Sequence, residues 1–140
     1  MFFLKEKIIL TQSILEREKR KGVILDYKNN LFKKYNIKVP FFFFSESNKY
    51  DFFFQEIYNA SNAFVYFNRK GQKVMAFNDW ASLIFNDDEI KNILLHEIAH
   101  VKLNWETNHK GSRTGHSKKW WRMFLRIGGR QDIIGGKGYY

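Results

Sequence analysis

The sequence predicts an α+β domain, and three observations carry that reading. Charged stretches of helical periodicity come first, ahead of Pro40. A block of short aromatic and β-branched runs follows from 41 to 78, and helical spacing returns from Asn86 to Gly129. The 140 residues suffice for one hydrophobic core but not for two, so residues 1–140 are expected to form a single domain. A hydrophobic share of 44% with fifteen Phe excludes disorder as the default state.

Taken in order, Leu4 to Lys21 reads as a charged amphipathic helix. Leu4, Ile8 and Leu15 lie on one side, and a charge run from Glu16 to Lys21 is ended by Gly22. Asp26 to Tyr35 reads as a second helix, stopped ahead of Pro40 because the residue before a proline is pushed out of helical conformation. Residues 1–40 thus form a basic helical region. Val39–Phe44, Tyr50–Ile57, Phe64–Phe67 and Lys73–Phe77 read as strands, and Asn68-Arg69-Lys70-Gly71-Gln72 as a hairpin turn, giving a small, mostly antiparallel sheet within 41–78. The Phe41–Phe44 and Phe52–Phe54 runs are assigned to the core rather than to an exposed adhesive surface.

The next helix carries the chemistry. Asn86 reads as its N-cap, Asp87 and Asp88 as first-turn acids, and Glu89 as the capping-box partner. Ile90, Ile93, Leu94, Ile98, Val101 and Trp105 recur at helical spacing, which leaves His96, Glu97 and His100 along the edge of the apolar stripe. In His96-Glu97-Ile98-Ala99-His100 the two imidazoles stand one turn apart on one face, so both can bind a single zinc ion. Glu97 beside them can take a proton from a water held there. An amphipathic helix with two incidental histidines would not explain Glu at the required position.

Two His leave zinc short of a third protein ligand, and the candidates downstream are Glu106, His109, His116 and Asp132. Glu106 falls on or just past the same helix and points away from the metal edge. His116 is preferred: it follows a polar loop from Thr107 to Gly115 and opens a second helix, marked by Trp120, Phe124 and Ile127. Packing that stripe on the first helix returns His116 to His96 and His100. His109 within the loop is the substitute, and Asp132 in the Gly-rich stretch is the third choice. Residues 86–129 are therefore the zinc-site helices, with 130–140 expected as a flexible tail.

The run from His96 to His100, fifteen residues ending in Gly115, then His116-Ser117-Lys118-Lys119-Trp120-Trp121 and Ile127-Gly128, resembles the SprT/Spartan group of zinc metallopeptidases. Lys73-Val74-Met75-Ala76-Phe77-Asn78, Leu83-Ile84 and the lead-in from Asp88 to Leu95 resemble the segment that precedes the motif in that group. The likeness covers about residues 72 to 129. Ser117 stands where the group usually has Gly. A second family of small proteins with this motif places its third His about half a dozen residues downstream, which the longer gap here argues against.

The resemblance implies a zincin-type domain holding one zinc ion per chain and cleaving protein or peptide substrates. It also implies a substrate strand above the zinc helix, at Val74, Met75, Ala76 and Phe77, which would hold a peptide in extended form by main-chain hydrogen bonds. Glu97 would be the general base and later the proton donor to the leaving amine. Arg113, Tyr139 and Tyr140 are candidates for a further oxyanion donor.

Zero cysteines exclude disulfides and thiolate ligands. Met1-Phe2-Phe3-Leu4 is too short an apolar run for a signal-peptide core or a membrane span, so an intracellular protein with no membrane partner is expected. The net charge of +10 is uneven: +6 over residues 1–40, −2 over 41–95 and +6 over 96–140. On the second zinc-site helix Lys118, Lys119, Arg122 and Arg126 form a basic stripe that Arg130 extends, with Trp121 beside it. Such a stripe suits phosphate contacts to single-stranded or distorted DNA; a solvated helix face is the plainer reading. Spartan-type proteases act on proteins attached to DNA, often through a separate DNA-binding module. No such module fits in this chain, so DNA contacts would fall to the catalytic domain. A zinc endopeptidase leads. A nucleic-acid-binding domain with a structural zinc site, and an interaction protein on a metallopeptidase fold, stand as alternatives, and the intact Glu97 argues against a purely structural site.

Overall fold

The computed structural model describes residues 4–46, 62–80, 83–103 and 117–136, with side chains from residue 11 onward. The strand expected at Tyr50–Ile57, the Phe52–Phe54 run and Trp105 lie outside the described residues. Helix α1 (Leu4–Lys34) is followed by β1 (Phe41–Phe43), β2 (Ala63–Phe67), β3 (Lys73–Phe77), α2 (Asp87–Lys102) and α3 (Lys118–Arg126). No described helix is long and apolar enough to cross a membrane.

The two helices expected before Pro40 are one. α1 runs through Gly22, whose missing side chain would meet nothing within 4 Å. A glycine inside a helix costs about 1 kcal/mol relative to alanine, which weakens a helix without ending it. Contacts on both sides of Gly22 hold the helix together: Arg20 Nη1 and Tyr27 Oη donate to the two carboxylate oxygens of Asp87 at 3.0 and 2.7 Å. Residues 20 and 27 are two turns apart on one face, so a break at 22 would separate them. α1 ends where Asn36 takes a left-handed conformation, φ 56°, and Ile37 N–H closes back on Phe32 O at 2.8 Å.

The sheet order is β1-β3-β2. The expected hairpin is present, with β2 antiparallel to β3 and Asn68 Oδ1 accepting from the N–H groups of Lys70 and Gln72 in the turn. β1 joins the other side of β3 in parallel, pairing Phe41 with Met75 and Phe43 with Phe77, so the sheet is mixed. Side chains alternate across it: Phe43, Met75 and Phe77 enter the core, whereas Phe42, Phe64 and Tyr66 meet on the opposite face.

This order corrects one expectation. β3 lies between two paired strands, and Val74, Met75, Ala76 and Phe77 are all buried, so its backbone cannot accept an additional peptide strand. Among the described residues the edges are β1 and β2, and β2 lies beside α2.

The Asn86 cap is formed in both directions: its side chain accepts from Glu89 N–H and the Glu89 carboxylate accepts from Asn86 N–H, each at 2.9 Å. Ile90, Ile93, Leu94 and Ile98 are buried, and α3 closes the core with Trp120, Phe124 and Ile127. Burying each such aromatic contributes on the order of 1.5–3 kcal/mol.

Candidate metal centre

Helix geometry assembles the site from one element. His96 and His100, four residues apart on α2, have ring centroids 5.1 Å apart, and the donor atoms of His96, Glu97 and His100 all lie within 4.8 Å of one another. Helix α3 supplies the floor. Trp120 packs 4.6 Å from the His96 ring and 5.3 Å from the His100 ring, and its indole N–H donates to His96 O at 3.3 Å. Phe124 stacks on Trp120 at 5.0 Å and fixes that ring in turn.

Glu97 is only 4% exposed, and its Oε2 has no hydrogen-bond partner among the described residues. Burial pushes its carboxyl up to about 8, because an anion removed from water without compensation is disfavoured. An unpartnered buried carboxylate oxygen beside two half-buried imidazoles fits a bound divalent cation, which would supply the missing positive charge. His96, Glu97 and His100 can therefore hold a metal ion, and a nitrogen-rich donor set without thiolates suits zinc.

The preferred third ligand, His116, lies outside the described residues, as do Glu106, His109, Arg113, Tyr139 and Tyr140. The described chain resumes at Ser117, whose side chain caps α3 by accepting from Trp120 N–H at 3.3 Å. Ser117 is thus an N-cap. Asp132 takes no part in the cluster; it is exposed and paired with Arg130 at 2.6 Å. Lys118, Lys119, Arg122 and Arg126 are all exposed on the outer side of α3, opposite buried Trp120 and Phe124. Trp121 is half-buried, with ring contacts to Trp120 and Phe124 at 5.9 and 5.8 Å, so it is part of the inner cluster.

The expected flexible tail is in fact folded back as far as Gly136. α3 ends in a left-handed turn at Gly128, φ 98°, with Gly129 N–H returning to Phe124 O at 2.7 Å. Asn92, 2% exposed, then ties the returning chain to α2: its side-chain amide donates to Arg130 O and Ile134 O at 3.0 and 2.9 Å, and its oxygen accepts from Arg130 N–H at 2.8 Å. Gly135 O lies 2.5 Å from His96 Nδ1. Neither residue was singled out in the sequence, although an Asn inside an apolar helix stripe, one turn before His96, is a usable signal of a buried polar role.

The profile described as the SprT-like family matches residues 29–136, so the chain belongs to that family. No curated protein and no solved structure matches the chain.

Proposed function

We propose that this member of the SprT-like family is a zinc-dependent endopeptidase acting on proteins held on DNA. The observation that carries the reading is Glu97, buried, with its Oε2 unpartnered among the described residues and its donor atoms converging with those of two histidines. A structural site has no use for a carboxylate placed as a base, and a merely folded helix would not retain an orphaned one.

His96 and His100 would hold the ion with His116 as third ligand. When bound, zinc would acidify a water and stabilise oxyanion charge. Glu97 takes a proton from the attacking water and returns it to the departing amine; a cation held beside it would offset the burial that raises its carboxyl in the metal-free protein. The Trp120–Phe124 floor excludes water below the two imidazoles and limits their rotation. The main chain of β2, rather than β3, is the strand suited to receive an extended peptide, since among the described residues it is the sheet edge beside α2. On the outer side of α3 the exposed Lys118, Lys119, Arg122 and Arg126 form a surface suited to phosphates of single-stranded or distorted DNA.

Cleavage of an unstructured protein by zinc-loaded protein, with and without single-stranded DNA, tests the reading. The parent should cleave, and Glu97→Gln should retain zinc while losing at least about a hundredfold in rate, the range for a general base. Equal activity of both would remove Glu97 from the chemistry. Zinc and DNA binding without cleavage by either would favour a non-catalytic role.

A further inference from the structure

We propose that the glycine-rich turn after α3 is the positioning element of the metal centre: through the Gly135 carbonyl it holds His96 as the Nδ1–H tautomer and leaves Nε2 to face the ion. The inference rests on the metal-site reading above and adds residues outside the motif to it.

A carbonyl oxygen only accepts hydrogen bonds, so the His96 nitrogen 2.5 Å from Gly135 O must carry the proton. In a neutral imidazole that leaves the lone pair on Nε2, the form in which histidine binds a metal. The same bond sets the ring's rotation about its attachment to α2, while Trp120 at 4.6 Å limits it from one side.

The carbonyl is itself fixed from the helix that carries His96. Asn92 stands four residues before His96, on the same face, and its three hydrogen bonds span both ends of the turn, at Arg130 and Ile134. Glycine is required where the carbonyl is presented. Gly135 has φ 98°, and a Cβ there would sit 3.1 Å from the Asn92 backbone carbon and oxygen and from its side-chain nitrogen. A loop serving only to cover the core needs neither a carbonyl aimed at a ring nitrogen nor a buried amide holding both of its ends. Asn92 and Gly135 are therefore positioning residues, acting on the site through His96.

The test uses full-length protein with 15N-labelled histidine, read first without metal and then by zinc competition against a chelator. The His96 signal, assigned by its loss in His96→Ala, should show a protonated Nδ1 and an unprotonated Nε2 in the metal-free parent. Gly135→Ala and Asn92→Ala should give mixed tautomers and about 10- to 100-fold weaker zinc binding, the range for losing a metal ligand's hydrogen-bond partner. Tyr35→Phe serves as control, because it removes a bond of similar kind, Tyr35 Oη to Ile127 O at 2.7 Å, without touching His96. It should keep the parent tautomer and affinity. The proposal is overturned if the parent carries its proton on Nε2, a result that needs no variant to fold. It is also overturned if Gly135→Ala keeps both tautomer and affinity, or if Tyr35→Phe loses zinc as the other two do. A parent that takes up no zinc contradicts the metal-site reading as well, and the tautomer signal, read without metal, separates that failure from failure of the hydrogen bond.

Discussion

In the proposed peptidase Glu97 concentrates the chemistry in one side chain, and its burial comes at a cost to folding. Its carboxyl is displaced from 4.5 to about 8 by burial, so the folded protein resists the charged form that the unfolded chain adopts freely. The penalty is absent below pH 4.5, grows as pH rises toward 8 and is constant above that. Each unit of displacement corresponds to about 1.4 kcal/mol. Metal-free Glu97→Gln should therefore melt close to the parent at pH 5 and above it at pH 8.5. The difference between the two melting curves reads the contribution of Glu97, because the rest of the chain is common to both proteins. A difference that stays flat from pH 5 to 8.5 would show that Glu97 is not desolvated. At this scale much was legible beforehand. His96, Glu97 and His100 converge because helical spacing alone brings them together, and the Asn86–Glu89 cap involves residues three apart. Asn92 and Gly135 were not legible, because their roles depend on a return of the chain across about forty residues that no local periodicity encodes.

Elements of secondary structure followed the sequence wherever the deciding forces were local. α2 has the expected Asn86–Glu89 cap and apolar stripe, and α3 the expected stripe of Trp120, Phe124 and Ile127, whereas the Ser117 cap of α3 was not foreseen. α1 was expected as two helices because Gly22 weighs against helix locally, whereas the Arg20 and Tyr27 bonds to Asp87, which keep it continuous, come from sixty residues away or more. If α1 is continuous, Gly22→Ala should raise stability by about 0.5–1 kcal/mol, because the added methyl meets nothing. A drop in the thermal midpoint would mean that Gly22 is needed for a bend. Ser117→Ala should cost about 0.5–1 kcal/mol, the lower part of the range for a lost N-cap, given the 3.3 Å bond. Chemical denaturation would show it as a shifted midpoint with unchanged slope. The sheet's order was hidden for a different reason: the apolar run in Lys73–Phe77 identifies a strand but not its neighbours, and parallel pairing with β1 leaves no signature in either strand alone.

Across the whole molecule, charge and metal chemistry meet on α3. Its inner side, Trp120 and Phe124, floors the candidate metal centre, and its outer side presents Lys118, Lys119, Arg122 and Arg126. Binding of single-stranded DNA should weaken steeply with salt, by a log–log slope of about 0.7 for each phosphate neutralised. Replacing the four cations by alanine should flatten that slope and leave zinc content unchanged. Affinity that survives the replacement would shift the contact to the basic residues of α1 around Arg17 to Lys21. Zinc content measured on purified protein bears most directly on the metal centre itself. The parent should hold about one zinc per chain, His96→Ala, His100→Ala and His116→Ala should each lose it, and His109→Ala should keep it. A parent without zinc, or zinc retained after His96→Ala and His100→Ala together, would contradict the metal centre outright.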